Sequence, residues 1–298
     1  LIFFKMSFPF MQLLFNSVVA GSIYALVAIG FSLIFQTNRF MHFAHGSAVV
    51  FSAYIAFHFF SLSNSLLIAI IATLILSSIL GYLMHLLIYY PLQKKKSSSV
   101  ILLIASFGIL FLIDNGLLLY FGSGIKNINY FGPLRGMEFF GALITKPQLI
   151  IVLSSLLCLI FIYLLMTKTK LGRNLRAVAD NNDLANIMGI ESKKYMALSF
   201  IIGSVLASVA GVLIALEQTL SINMGTTYMI KGFTGAIIGG VNSVPASILG
   251  SYIVGLAENF GVWFLPSQFK EAISFILLFL FLLYKPNGLF GIDKSSRK

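Results

Sequence analysis

The chain has 298 residues, of which 58% are hydrophobic and only 10% charged, and its mean hydropathy is +0.96. A soluble domain carries about 25% charged residues, so this composition excludes a water-soluble enzyme or binding domain. The net charge of +11 does not indicate nucleic-acid binding, because the basic residues fall between apolar runs, where they set the orientation of a membrane protein. The single cysteine, Cys158, leaves no disulfide framework and no cysteine-based metal site.

The apolar runs predict an all-α integral membrane protein with about eight or nine transmembrane helices in a single domain over residues 1–298. Most runs are close to the roughly 20 residues that span a bilayer, and helices satisfy their backbone groups without water. The run 232–244 is short and rich in glycine, so it either crosses as a short helix or forms a re-entrant or broken segment. The runs are 10–35, 46–62, 65–90, 100–121, 149–166, 196–216, 232–244, 247–264 and 271–284.

The basic residues predict an external N-terminus and a cytoplasmic C-terminus, since cytoplasmic loops are enriched in lysine and arginine. The segments around Arg39, Lys94–Lys96 and 167–195, with the tail from Lys285, hold 14 of the 20 basic residues. This orientation requires the run 232–244 to cross. It places the other six outside: Lys5, Lys126, Arg135, Lys146, Lys231 and Lys270.

Small residues recur at helical spacing and predict close helix packing, because close backbone approach replaces the hydrophobic effect within lipid. Such stripes occur in channels, transporters and membrane enzymes alike, so they do not distinguish functions. The packing residues are Ser199, Gly203, Ala207, Gly211, Gly235 and Gly239.

Polar residues inside apolar runs are candidates for a transport pathway, because burying them in lipid is costly. Asp114 and Asn115 lie in the outer third of their run, and Glu258 lies past the middle of its own. Each is compatible with a pathway or with a structural hydrogen bond. The segment 38–47 adds His42, His45 and Gly46, with almost no polar spacer between two runs. It is either a helix break that lines protein or a cavity, or an interfacial turn with solvated histidines.

No motif supports catalysis by this chain. His42 and His45 are three residues apart and do not form the HExxH pattern of a zinc protease. Ser47 has no sequence signal for activation as a nucleophile. The phosphate-binding loop GxxxxGK[ST] is absent from the sequence. We therefore predict that the chain is not an enzyme and binds no metal or cofactor itself.

The segment 167–195 is the longest polar stretch predicted to face the cytoplasm. It contains a short helix with Asn182 or Asp183 as its N-cap and Gly189 at its end. An apolar face on an exposed segment predicts docking onto a partner. Ala185 is small enough for close approach, and Arg173 and Arg176 can anchor the flanks. The proposed coupling residues are Arg173, Arg176, Asp183, Leu184, Ala185, Ile187, Met188, Gly189 and Ile190.

Four motifs spread over nearly the whole chain resemble the LivH-type permease subunit of ATP-binding-cassette (ABC) importers for branched-chain amino acids. They are MHFAHGSAVVFSAY at 41–54, GRNLRAVADNNDLANIMGI at 172–190, KGFTGAIIGGVNSVPAS at 231–247, and FKEAISF with KPNGLFG at 269–275 and 285–291. His42, Asp114 and Asn242 differ from the residues that are usual in the family. Urea or short amides are therefore the alternative substrates.

The resemblance implies a multi-pass permease of the bacterial inner membrane that works in a complex. Its partners would be a homologous second permease, two cytoplasmic ATPase subunits and an external solute-binding protein, with lipid around the helices and no nucleic acid. ATP and magnesium would be bound by the ATPases. A stand-alone secondary transporter is the alternative from another class, but such a carrier has no use for the docking helix in 172–190.

Overall fold

The computed structural model describes residues 2–132, 136–139 and 141–290, with side chains from Phe10 onward. The regular secondary structure of the described residues is helical except for one two-stranded antiparallel hairpin and an isolated bridge between Lys126 and Leu220, neither of which the sequence predicted. The elements are α1 Ile2–Asn38, α2 His45–Ser63, α3 Leu66–Met84, α4 Tyr90–Lys94, α5 Ser99–Phe121, β1 Met137–Phe139, β2 Ala142–Ile144, α6 Lys146–Lys168, α7 Lys170–Asp180, α8 Asn182–Ile187, α9 Ser192–Glu217, α10 Met224–Gly239, α11 Val244–Gly261 and α12 Lys270–Tyr284. A π-helical turn, His85–Tyr89, joins α3 to α4, and a 3₁₀ turn, Ser267–Phe269, precedes α12.

Within the described residues, seven helices are long and apolar enough to cross a membrane, and α10 with α11 forms a pair bent by 119°. The seven spans and this bent pair agree with the predicted all-α membrane fold and its re-entrant or broken segment. The boundaries of the predicted run 232–244 are wrong. Helix α10 begins at Met224 and ends at Gly239, and residues 240–243 form the break.

Helix α1 lies at the centre of the bundle and packs against α9, α10 and α11. Small residues allow the close contacts. A Cβ added at Gly250 would lie 2.1 Å from the carbonyl oxygen of Gly235 and 2.4 Å from the nitrogen of Gly239. Helices α10 and α11 therefore touch backbone to backbone, as expected for packing in lipid.

The segment 39–44 between α1 and α2 is partly buried: Phe40, His42 and Ala44 are enclosed, whereas Arg39 and Met41 are exposed. His42 and His45 are 1% and 0% exposed, which excludes the interfacial turn with solvated histidines. The Nδ1 atom of His42 lies 2.8 Å from the hydroxyl oxygen of Tyr89, which the π-helical turn supplies. The backbone nitrogen of Ala44 donates to Ser106 of α5 at 3.0 Å. Helix α2 therefore starts at a point enclosed by other helices.

The end of the α10–α11 hairpin is closed by the segment that follows α12. The backbone nitrogens of Leu289 and Phe290 donate to the carbonyls of Ile238 and Gly239 at 2.7 and 3.0 Å. Gly288 enters this contact with φ of +78°, a conformation that glycine adopts without strain. Position 288 also leaves no room for a side chain, because a Cβ there would lie 2.6 Å from the nitrogen of Gly240.

Candidate functional site: a cavity with charges of both signs

A cavity of about 660 Å³ opens at the end of the bundle where α9 and α11 finish and α10 and α12 begin. This volume is within the range of small-molecule sites, roughly 300–1,000 Å³. Its lining is mostly polar, unlike the helix faces around it. The lining residues are Asn16, Val19, Ala20, Ile23, Tyr24, Gln148, Glu217, Gln218, Ser221, Asn223, Met224, Thr227, Tyr228, Lys231, Asn259, Lys270 and Glu271.

A buried ion pair lies beside this cavity. The Nζ atom of Lys231 on α10 is 3.2 Å from Oε2 of Glu258 on α11. The hydroxyl of Tyr24 donates to the same carboxylate oxygen at 2.6 Å, and the hydroxyl of Ser274 donates to the other oxygen. Glu258 is fully buried, so its charge is stabilised by one cation and two hydroxyl groups from three further helices.

Three further charged side chains face the cavity, and each is held by a neutral partner. The ammonium of Lys270 donates to Oδ1 of Asn259 at 2.9 Å. A carboxylate oxygen of Glu217 accepts from Gln148 at 3.3 Å, and one of Glu271 accepts from Thr227 at 3.2 Å. Hydrogen bonds to these uncharged partners orient the charged groups without neutralising them.

Part of the cavity wall is apolar. Val19 and Ile23, one helical turn apart on α1, line it together with Met224 at the start of α10. The site therefore offers an apolar surface beside cationic and anionic groups. This combination suits a small amphiphilic solute that carries charges of both signs.

Of the predicted pathway residues, only Glu258 is bonded to a residue that lines this cavity. His42, His45 and Gly46 lie elsewhere, at the return from α1 to α2. The ring of His45 is fully buried and lies beside the backbone of Val27 in α1. Gly46 approaches α10 so closely that a Cβ would lie 2.6 Å from the carbonyl oxygen of Gly225.

The adjacent residues Asp114 and Asn115 do not act as a pair. Asp114 is half-buried, and the Ser47 side chain is its polar neighbour. Asn115 is exposed, and its amide donates to the carbonyl of Phe111 in its own helix at 2.7 Å. Neither residue lines the cavity, so a pathway role for them stays a prediction.

The predicted coupling segment contains two helices, α7 and α8, rather than one helix in a loop. The N-cap of α8 is Asn181, one residue before the predicted cap, and its side chain accepts from the backbone nitrogens of Asp183 and Leu184. Gly189 adopts φ of +81°, as expected for a helix-terminating glycine. Ile190 is half-buried, and its backbone nitrogen donates to the carbonyl of Ala185 at 2.9 Å.

The prediction that Ala185 is small so that a partner can approach it is wrong. Its side chain is 4% exposed and faces its own protein, so its small size serves packing within the chain. Leu184, Ile187 and Met188 are 58%, 79% and 80% exposed. The apolar surface available to a partner is thus formed by these three residues, and we call it the α8 apolar face. Arg173, Arg176 and Asp183 are also exposed.

The predicted packing residues lie in the interior. The hydroxyl of Ser199 accepts from Thr37 of α1 at 2.8 Å, and Ala207 is fully buried. At the four glycines a Cβ would meet a neighbouring helix within 3 Å, with close contacts at Ile34, Val49, Ser251 and Ala246 for Gly203, Gly211, Gly235 and Gly239 respectively.

Sequence reasoning did not identify Lys231, Lys270 and Glu217 as neighbours of one site. Lys231 and Lys270 were assigned to external loops, but Lys231 is buried on α10 and Lys270 is half-buried at the start of α12. A signal existed, because Lys231 and Glu258 lie on the two helices that flank the predicted break. A buried cation and anion on adjacent helices are expected to pair.

A family model and several known proteins that match most of the chain are all described as branched-chain amino acid transport permeases. A family model described as "Branched-chain amino acid transport system / permease component" matches residues 13–282. The high-affinity branched-chain amino acid transport system permease protein BraD of Pseudomonas aeruginosa is 33% identical, over 95% of this chain and 96% of BraD. LivH of Escherichia coli K12, which carries the same description, is 30% identical over the same shares.

An archaeal relative and a solved structure extend the comparison. The probable branched-chain amino acid transport permease protein LivH of Methanocaldococcus jannaschii is 29% identical over 96% of this chain and 94% of its own. A chain of PsaBC from Streptococcus pneumoniae, solved in complex with a Fab, matches with a TM-score of 0.50 at 14% identity, covering 95% of this chain and 94% of its own. At this low identity, the similarity to PsaBC concerns the fold alone.

Proposed function

Because the chain belongs to the family of branched-chain amino acid transport permeases, we propose that it moves branched-chain amino acids inward as one membrane subunit of an ABC importer. The observation that carries this proposal is the match to BraD and LivH over 95% of the chain. The energy would come from ATP bound by partner subunits.

The cavity supports an amino-acid substrate over a neutral one. Glu217 and Lys270 both face it and are bonded to neutral amides. A neutral solute such as urea would leave both charges uncompensated in a partly desolvated site, which is unfavourable. A zwitterion supplies the complementary charge to each.

The proposed orientation has the N-terminus outside and the C-terminus in the cytoplasm of a bacterial cell. Helices α7 and α8 then face the cytoplasm, together with the basic residues Arg173 and Arg176. The cavity then opens toward the outside, where an external solute-binding protein would deliver substrate. A second, homologous permease subunit would complete the membrane part.

The α8 apolar face is the proposed contact for the ATPase subunits. Ile187 and Met188 are the most exposed residues of this face, and leaving them in water is costly unless a partner covers them. The α8 helix is fixed to the membrane domain, because the backbone nitrogen of Ser192 donates to Asn186 and its hydroxyl donates to the carbonyl of Asn182, both at 3.1 Å. A rigidly attached helix can transmit a push from a partner to α9.

The test is uptake of leucine and urea into proteoliposomes. The permease with its partner permease, ATPases, binding protein and ATP should accumulate leucine and not urea. The chain alone, without ATP or partners, should accumulate neither. Accumulation of urea by the complete complex would favour the short-amide alternative, and ATP-independent uptake by the chain alone would indicate a stand-alone transporter.

A further inference from the structure

The side of the cavity formed by α10, α11 and α12 carries two ammonium groups, Lys231 and Lys270, and two carboxylates, Glu258 and Glu271. Glu258 is the buried carboxylate of this side, and two ammonium groups lie near it. Lys231 forms the direct pair at 3.2 Å, whereas Lys270 interacts with Glu258 only through space and is bonded to the amide of Asn259. Glu271 is bonded to Thr227, and among the described residues Lys270 has no carboxylate within ion-pair distance. The ammonium of Lys270 can therefore bind an incoming anion.

The side formed by α6 and α9 carries an uncompensated negative charge. Glu217 is half-buried, and the amide of Gln148 holds its carboxylate. Among the described residues the only ion pair is that between Lys231 and Glu258, so Glu217 and Lys270 do not neutralise each other. Unpaired charges of both signs in one cavity, Lys270 as the cation and Glu217 and Glu271 as the anions, are unfavourable for stability alone, which indicates that a ligand compensates them.

The apolar part of the wall fits the remainder of such a ligand. Val19, Ile23 and Met224 are aliphatic and line the same cavity. A short branched or linear hydrocarbon group would be removed from water against them, gaining about 25 cal/mol per Å² of apolar surface that is buried.

We propose that this cavity is a binding site for a free α-amino acid, in which Lys270 binds the α-carboxylate and Glu217 binds the α-ammonium. The aliphatic side chain lies against Val19, Ile23 and Met224. This inference rests on the proposed function and deepens it, because it locates a resting point for the substrate within one permease subunit, between the binding protein and the cytoplasm.

The test uses ligands that lack one charge. Binding to the intact complex in nanodiscs, without binding protein, is measured by saturation-transfer NMR for leucine, for leucinamide, which lacks the carboxylate, and for 4-methylpentanoate, which lacks the ammonium. Lys270→Met should weaken leucine binding about tenfold or more and leave leucinamide unaffected. Glu217→Gln should weaken leucine binding similarly and leave 4-methylpentanoate unaffected. The conservative variant Lys270→Arg should restore leucine binding.

Two control variants remove the same charges at the same end of the molecule but outside the cavity. Lys146 and Glu138 are exposed there, and Lys146→Met and Glu138→Gln should bind all three ligands as wild type does. ATP hydrolysis stimulated by loaded binding protein shows whether each variant is assembled. If assembled Lys270→Met and Glu217→Gln bind all three ligands as wild type does, the site is refuted while the importer function stands. If the wild-type complex takes up no leucine, the proposed function fails instead.

Discussion

Lys231 of α10 and Glu258 of α11 form a buried ion pair, with 3.2 Å between Nζ and Oε2. Lys231→Met should destabilise the protein by about 3–5 kcal/mol, because it leaves a buried carboxylate without its direct cation. The double variant Lys231→Met/Glu258→Gln should recover most of this loss, since neither member of the buried pair is then charged. Thermal unfolding in detergent measures both. A double variant that is no more stable than the single one would show that the pair does not act as a unit.

A second prediction concerns the contact between α10 and α11. Gly250→Ala should destabilise the fold by about 1–3 kcal/mol, because its Cβ would overlap the backbone of Gly235 and Gly239. Gly108→Ala is the matched control, since no atom lies within 4 Å of a Cβ there. The measurement is the midpoint of thermal unfolding for both variants. Equal midpoints would contradict the tight backbone contact.

A third prediction concerns coupling to the ATPases. Met188→Glu places a charge on the α8 apolar face and should reduce co-purification of the ATPases about tenfold or more, because a charge buried at a contact is costly. Lys194→Gln is the control, with the same change of one charge unit at an exposed position of the same cytoplasmic region. The permease itself should stay in the membrane in both cases. Normal assembly and normal ATP turnover per leucine in Met188→Glu would remove α8 from the coupling path.

A fourth prediction concerns orientation. In a Cys158→Ser background, Ser97→Cys should react with a membrane-impermeant maleimide only from the cytoplasmic side. Asn127→Cys, which lies at the opposite end and is exposed, should react only from outside. The basic residues at 94–96 and 167–195 are the physical reason. Labelling of intact cells and of inverted vesicles makes the comparison, and the reverse pattern would invert the topology.

The helices were predictable because their cause is local. A run of about 20 apolar residues has one stable form in lipid, so the spans followed from composition and length. The break after Gly239 was only one of two predicted possibilities. A short, glycine-rich apolar run can either cross the membrane as a helix or form a re-entrant or broken segment. The start of α10 at Met224 was not predictable, since residues 224–231 include polar groups that only the folded cavity accommodates.

The candidate site could not be predicted in full, because its residues come together from distant parts of the chain and the spacing of residues along the sequence does not show such contacts. The position of Lys231 between apolar runs predicts an external loop, whereas its ion pair with Glu258 holds it buried on α10. Similarly, Ala185 was assigned to a partner surface, because a short helix in a sequence does not reveal which of its faces is covered. Gly189 was predictable as a helix end because a single backbone conformation, φ of +81°, determines the residue.

The closure of the α10–α11 hairpin by Leu289 and Phe290 has a consequence for biogenesis. The carbonyls of Ile238 and Gly239 enter the membrane long before residues 289 and 290 leave the ribosome. During that interval the hairpin has exposed acceptors at its end, which water or a chaperone must satisfy. The α10–α11 hairpin therefore reaches its final hydrogen bonding only after the segment that follows α12 has been synthesised.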